Sequence, residues 1–236
     1  MKIAAVALAL SVAAAALLAG SGPGARFGVW DWRMGLQMVR WSLYAGLAVG
    51  ALAVVLLAVP RVRKGRAPVL VAALAVALGV ALFPWLWVQH ARSVPPINDI
   101  TTDTDNPPPF VAALPLRSGA PVPSSYAGPE VAKQQHAAYP DIRPLALAAP
   151  ADAAWERALA AARAMGWEIV AADAGAGRIE ATATTPWFGF RDDVVVRVTA
   201  AGSGSRIDVR SVSRVGRSDL GTNARRIREY LAKVAA

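Results

Sequence analysis

Three long runs of apolar residues set the N-terminal third of the chain apart from the rest. They cover residues 3–19, 41–59 and 68–88, and none of them contains a charged side chain. Because a helix rises about 1.5 Å per residue, each run is long enough to cross a hydrocarbon core of roughly 30 Å. The pattern therefore predicts a transmembrane region over residues 1–91 with three transmembrane helices.

The short basic loop between the second and third runs predicts the orientation of these helices. Residues 61–66 contain four Lys or Arg side chains, and Lys2 precedes the first run. Positively charged loops stay in the cytoplasm, so the N-terminus is predicted to be cytoplasmic and everything after His90 periplasmic or otherwise extracytoplasmic. Five of the eight tryptophans then fall at a single bilayer interface: Trp30, Trp32, Trp41, Trp85 and Trp87.

The first run has a second interpretation. Lys2, an Ala/Leu-rich core and the small residues 19–22 are also typical of a secretory signal peptide. The length of the core favours an uncleaved helix. Both interpretations leave the C-terminal domain on the same side of the membrane.

Residues 92–150 form a proline-rich segment that predicts extended or turn-like backbone. Twelve of the 17 prolines lie between Pro95 and Pro150, and no helical or strand period persists there. The patches at 95–103 and 139–145 mix Ile, Asp and Pro. We expect these patches to pack on the folded domain that follows.

Residues 151–236 show regular periods that predict an α+β soluble domain. A helical stripe runs from Trp155 to Met165, alternating patterns follow at 167–172, 178–184, 193–199 and 206–214, and a second helix starts at Ser218-Asp219. The predicted order is α-β-β-β-β-α. Strands with one apolar face must be covered, so we expect an antiparallel four-stranded sheet with both helices on one face. If the sheet curves around the last helix, the arrangement is helix-grip-like.

Several sequence blocks occur together over residues 93–232. They are PPINDITTD at 95–103, YPDI at 139–142, GW at 166–167, RIEA at 178–181, FRDDV at 190–194, DVRSVSRVG at 208–216 and SDLGTN at 218–223. Together they resemble the bacterial domain-of-unknown-function family numbered 1499. The resemblance implies a membrane-anchored member with no established activity, and it implies that the patch around Asp99 belongs to the domain.

The net charge of +9 first suggests an acidic ligand, but most of the excess belongs to the membrane region. Residues 1–91 carry eight Lys or Arg against one acid, whereas residues 92–236 carry 17 against 15. This distribution argues against nucleic acid as a partner. The chain has no cysteine, which excludes disulfides, thiolate metal sites and cysteine nucleophiles.

A local excess of arginine near the C-terminus is the first candidate binding site. Residues 206–236 hold eight basic and three acidic side chains. Arginine pairs bidentately with phosphate or carboxylate, so the patch would suit anionic lipid headgroups or an acidic envelope protein. The alternative is ordinary solvated faces with salt bridges to Asp192, Asp193 and Asp208. The candidate patch consists of Arg206, Arg210, Arg214, Arg217, Arg225, Arg226 and Arg228.

An aromatic turn between two predicted strands is the second candidate site. It contains Trp187, Phe188 and Phe190. These rings could fill the core, or the loop could dip into lipid or grip a ligand.

Candidate catalytic and metal-binding groups are sparse. Asp192 and Asp193 are adjacent in a strand and should point to opposite faces. The oxygen-rich stretch 99–106 lacks the Gly and Glu of an EF-hand calcium loop. A Ser-His-Asp triad would need His136, but no serine of the chain lies in a Gly-x-Ser-x-Gly nucleophile motif. We therefore assign no catalytic, cofactor or metal residue.

The sequence favours a non-catalytic membrane protein that displays a periplasmic domain for binding a partner or anionic lipid. The alternative is a periplasmic hydrolase or metal-dependent enzyme that uses acidic residues and His136.

Overall fold

The computed structural model describes residues 2–236 and divides into two compact units. The first unit comprises the chain up to Arg92 together with the short turn Pro186–Gly189. The second comprises Ser93–Thr185 and Phe190–Ala236.

The first unit contains three long helices and one short one. They are α1 (Lys2–Arg26), α2 (Trp32–Ala58), α3 (Pro60–Arg63) and α4 (Ala67–Ser93). By length and composition α1, α2 and α4 can each cross a membrane, which suggests a membrane location. α1 and α4 contain the first and third predicted apolar runs, and α2 contains the second except for its last residue, Val59. The helices extend beyond these runs because hydrogen bonding continues through polar residues, and the Asp31 carboxylate accepts the Arg33 N–H at 2.8 Å to cap α2.

Small residues bring these helices into close contact. The Ser11 hydroxyl of α1 donates to the Ala73 carbonyl of α4 at 2.9 Å. A Cβ on Gly46 of α2 would lie 2.8 Å from the Ala77 carbonyl oxygen, so only glycine fits there. Close backbone approach of this kind is the usual means of helix packing in membranes.

The second unit is built on one antiparallel sheet of six strands. They are β1 (Asp99–Thr101), β2 (Leu145–Leu147), β3 (Glu168–Asp173), β4 (Arg178–Thr184), β5 (Arg191–Ala201) and β6 (Gly204–Ser213). The order is β1-β6-β5-β4-β3, and β2 also pairs with β6. The predicted four-strand meander is present as β3–β6.

The prediction of a four-stranded sheet is wrong because the proline-rich segment adds two more strands. β6 is ten residues long, so one edge accommodates both β1, at 210–212, and β2, at 205–207. Each added strand has only three residues, which is too short to show an alternating pattern.

One face of the sheet is apolar and is covered by two helices. Ile179, Val194, Val196, Ile207 and Val209 belong to one buried cluster with residues of α6 (Ala151–Ala164) and α7 (Thr222–Ala235). Within that cluster the Tyr230 ring of α7 stacks on Trp167 at 4.9 Å between centroids, and its hydroxyl donates to the Ala158 carbonyl at 2.9 Å. These contacts fix both helices on the same face.

The opposite face is charged and is covered by an irregular segment that follows β1. This cover includes a 3-10 helix at Pro115–Arg117 and leads to α5 (Pro129–Ala138). Phe110 and Ala113 of the cover pack on Val195 and Val212 of the sheet. The fully buried Gln135 of α5 bonds both backbone groups of Thr101, at 3.0 and 2.7 Å, and thereby extends the edge of β1.

Candidate functional site

The charged face of the sheet is organised around the fully buried carboxylate of Asp193. Its oxygens accept from Arg214 at 2.7 and 2.9 Å, from Arg117 at 2.7 Å and from the Thr182 hydroxyl at 2.8 Å. Burial alone would raise the pKa of Asp193, but the bonds from Arg214, Thr182 and Arg117 outweigh burial and lower it. Asp193 is thus held as a carboxylate whose acceptor positions are occupied.

A second buried ion pair joins β1 to β6. Arg210 contacts both oxygens of Asp99, at 2.9 and 2.8 Å, and its guanidinium lies 5.2 Å from the Phe110 ring centroid and 5.5 Å from that of Tyr126. Burial and the nearby Asp99 charge raise the pKa of Tyr126 to about 12. The arginine is therefore enclosed by a carboxylate and two aromatic rings.

Two further arginines share two carboxylates on the same face. Arg197 bonds Asp103 at 3.1 Å and Asp208 at 2.9 Å, and Arg206 bonds the same two residues at 2.8 and 3.0 Å. The hydrogen bonds that Arg206 donates to Asp208 raise the pKa of Arg206 above its ordinary value. The network ties the segment after β1 to strands β5 and β6.

Two further ion pairs join helix α7 to the rest of the sheet unit. Arg226 contacts Asp192 at 2.6 Å and also donates to the Ser211 hydroxyl and to Asn223. Arg228 contacts both oxygens of Asp141, at 2.5 and 2.7 Å. The bond from Arg228 lowers the pKa of Asp141.

The seven predicted patch arginines therefore do not form one free surface. Arg206, Arg210, Arg214, Arg226 and Arg228 are each paired with an aspartate. Arg217 and Arg225 are exposed, and the pair from Arg225 to Glu229 is long, at 3.7 Å. Asp192 and Asp193 do point to opposite faces, as strand geometry requires.

The sequence interpretation missed Glu180, a fully buried carboxylate in the middle of β4. It accepts the backbone N–H groups of Val111, Ala112 and Ala113 at 2.8–3.1 Å, and Arg178 lies 3.1 Å away. The alternation over residues 178–184 sets Glu180 on the polar face, opposite Ile179. Arg178 and Glu180 on β4, a strand with neighbours on both sides, were the available sequence signal that another segment packs on this face.

The cover presents three exposed apolar side chains that the sequence interpretation also missed. Val111, Leu114 and Leu116 are 48%, 45% and 48% exposed. We call them the apolar projection. They occupy the turn held by Glu180 and the 3-10 helix that follows it, so the same segment that closes the charged face places them outside.

The structure divides the predicted aromatic turn between the two units. Trp187 and Phe188 belong to the helical unit, where the Trp187 ring lies 5.4 Å from Phe83 and 5.1 Å from Trp87. Phe190 belongs to the sheet unit, where its N–H donates to the Thr185 hydroxyl at 2.9 Å.

The groups considered for catalysis or metal binding are scattered. The ring of the exposed His136 lies 3.0 Å from the Thr104 hydroxyl. Over the same residues no group of three or more His, Asp or Glu side chains could hold a metal ion. A groove of about 580 Å³ lies near Trp155 and Glu156 and is lined by none of Asp99, His136, Asp192 and Asp193.

The turn before α7 contains a second group that the sequence did not single out. The Asp219 carboxylate accepts the N–H groups of Gly221 and Asn223, each at 2.8 Å, and so caps the helix. Burial nevertheless raises the pKa of Asp219 to about 6. Leu220 has a φ of 54°, a left-handed conformation that few branched residues adopt.

Most of the sheet unit matches a known protein family. Residues 99–234 match the family described as "Protein of unknown function (DUF1499)". The chain has no match among curated proteins.

Proposed function

The chain belongs to the DUF1499 family of proteins of unknown function, and we propose that it is an integral membrane protein that displays a non-catalytic domain for binding in the cell envelope. The bound species is a partner protein or anionic lipid. The three apolar helices support the membrane anchor, and the basic stretch 61–66 supports a periplasmic position for the domain.

The observation that carries the non-catalytic role is the state of the buried carboxylates. Asp99, Asp192 and Asp193 each contact at least one arginine at 2.6–2.9 Å. A general acid or base must exchange a proton with a bound substrate near the working pH. Carboxylates enclosed by arginine and satisfied as acceptors instead stabilise the fold, and they leave recognition to the surface.

The surface offers exposed arginines for such recognition. Arg191 starts β5, Arg217 lies in the loop after β6, and Arg225 is on the outer side of α7; all three are exposed. Arg191 and Arg217 make no ion pair within residues 2–236. Guanidinium groups of this kind bind phosphate or carboxylate through two parallel hydrogen bonds.

Site-specific photo-crosslinking in intact cells tests the binding role. A photoreactive residue is placed at Arg217 or Arg225 of the full-length chain, with Arg157, an exposed arginine of α6, as the matched control position. We expect adducts at 217 and 225 that are absent at 157. Adducts of protein mass identify a partner, and lipid-mass adducts identify headgroups. Equal, background-level labelling at all three positions would contradict the proposal.

Cysteine accessibility tests the membrane orientation separately. The chain has no cysteine, so Ser203→Cys in the exposed turn after β5 and Lys64→Cys in the basic loop each provide one thiol. A membrane-impermeant maleimide added to cells with a permeable outer membrane should label position 203 and spare position 64. The reverse pattern would contradict a periplasmic domain.

A further inference from the structure

We propose that the apolar projection, Val111, Leu114 and Leu116, inserts into the lipid surface while Arg191 and Arg217 contact headgroup phosphates. The inference rests on the proposed function and deepens it by naming one bound species, the bilayer itself.

The side chains of the apolar projection are about half exposed. Within residues 93–236, they are the large apolar side chains that the structure leaves widely exposed. Most other large apolar groups of the unit are buried in two clusters or packed against them. Transfer of apolar area out of water contributes about 25 cal/mol per Å², so three neighbouring aliphatic groups favour an apolar environment.

The sheet holds the projection in a fixed position. Glu180 binds the backbone of residues 111–113, and the buried Arg117 binds Asp193 immediately after Leu116. Both ends of the segment are therefore fixed to the sheet. A surface that is already ordered loses little conformational entropy when it binds.

Arg117, the residue after the projection, is bound close to the start of β1. Arg117 donates to the carbonyls of Val212 and Ser213, each at 3.3 Å, and Val212 is the register partner of Asp99, the first residue of β1. Five residues separate Asp99 from Ser93, the last residue of α4. This end of the sheet is therefore the one at which the chain arrives from the third candidate membrane span.

Two exposed arginines lie at the end of the sheet to which Arg117 is bound. The Arg214 N–H donates to the Arg191 carbonyl at 3.0 Å, which places the start of β5 beside the end of β6, where the loop carrying Arg217 begins. Arg191 and Arg217 are therefore at the sheet end that receives the chain from α4. Apolar groups with neighbouring cationic side chains are the composition of interfacial binding surfaces on anionic membranes.

Fluorescence quenching by lipids tests the inference directly. Leu114→Cys carries an environment-sensitive dye, and Ser203→Cys in the exposed β5–β6 turn is the matched control, because the chain has no other thiol. The full-length protein is placed in nanodiscs of phosphatidylglycerol and phosphatidylcholine that contain spin-labelled lipid. We expect dye at 114 to shift to shorter wavelength and lose most of its emission, and dye at 203 to do neither.

Dye at 114 that is quenched by aqueous iodide as strongly as dye at 203, and not by spin-labelled lipid, overturns the inference. A spectral shift at 114 in native membranes but not in pure lipid nanodiscs also overturns it, since a protein then covers the projection. The maleimide pattern at positions 203 and 64 is independent of these results, so a failure of the inference is distinguishable from a failure of the proposed orientation.

Two substitutions separate the apolar and ionic parts. Leu116→Ser should weaken the lipid quenching at position 114 in all nanodiscs. Arg191→Gln combined with Arg217→Gln should weaken it in nanodiscs with phosphatidylglycerol and leave it unchanged in pure phosphatidylcholine. Arg157→Gln is the matched control and should change neither. Quenching that is insensitive to all of these substitutions contradicts the assignment of the surface.

Discussion

Asp193 of β5 and Arg214, the residue after β6, form a two-point ion pair, with Oδ1–Nη2 at 2.7 Å and Oδ2–Nε at 2.9 Å. Arg117 reaches the same carboxylate from the cover of the sheet at 2.7 Å. One fully buried carboxylate thus holds the meander and the cover together, which makes it a sensitive point of the domain.

Asp193→Asn should strongly destabilise the sheet unit. It leaves the guanidiniums of Arg117 and Arg214 beside a neutral amide, and an uncompensated buried charge costs about 3–5 kcal/mol. The midpoint of thermal unfolding of the full-length protein in detergent measures this loss. Asp152→Asn, at an exposed aspartate of α6, is the control and should leave the midpoint unchanged. Equal midpoints for the two variants would show that the buried pair does not matter.

Asp219 should make stability fall as the pH rises from about 4 to about 6. Burial raises its pKa in the folded state to about 6, against an ordinary value near 3.8, so the folded protein holds this proton over the interval and the unfolded chain does not. Stability from this group is therefore complete below about pH 4 and is lost as the pH rises through about 6, by an amount on the order of 3 kcal/mol. The lowered pKa of Asp193 acts in the opposite direction, since its contribution is lost as the pH falls below about 4.

Asp219→Asn isolates the first effect. The amide cannot ionise but keeps one oxygen to accept from Gly221 or Asn223. Urea unfolding at several pH values should show a decrease in stability between pH 4 and 6 in the wild type and a flatter profile in the variant. The charged groups on this side, Asp192 and Arg226, remain in both proteins. Identical slopes for the two proteins would mean that Asp219 does not titrate there.

The sequence predicted the parts of the fold that follow from long periodic patterns. The three apolar runs and the β3–β6 meander are of this kind. The short strands β1 and β2 could not be predicted, because each pairs only through the spare length of β6. Proline density in residues 92–150 suggested extended backbone, but it gave no register.

The candidate sites were harder to predict because pairing is a tertiary property. The sequence shows the excess of arginine from residue 206 onward, but the partners Asp99, Asp103 and Asp141 lie 87 to 111 residues earlier. The same holds for Glu180, whose acceptor positions are filled by the backbone of 111–113. Residue types alone do not distinguish an arginine that binds a ligand from one that closes a sheet.

Glu180→Gln should loosen the cover without unfolding the sheet. The amide nitrogen cannot accept the N–H groups that one carboxylate oxygen now accepts, and each unsatisfied buried donor costs about 1–3 kcal/mol. We expect faster hydrogen exchange and faster proteolysis within residues 107–118, with little change in β5. Glu156→Gln, at an exposed glutamate of α6, is the control. Uniform acceleration over the whole unit would indicate global rather than local loss of structure.

Within the helical unit the Trp187 ring packs directly on Gly22 of α1, and a Cβ at this position would overlap that ring. Gly22→Val should therefore destabilise the unit by about 1–3 kcal/mol, the usual cost of overpacking. Gly20→Val is the matched control, since nothing lies within 4 Å of a Cβ at that position. Thermal unfolding of the full-length protein in detergent gives the three stabilities.

A double variant shows whether the cost comes from this contact. Trp187→Ala removes the ring that the valine meets, so Gly22→Val should cost much less in the Trp187→Ala background than in the wild type. A cost that is equal in both backgrounds would show that the valine acts through α1 itself, for example through its neighbour Pro23. Suppression confined to position 22, with none at position 20, would confirm that the aromatic turn Pro186–Gly189 is seated in the helical unit.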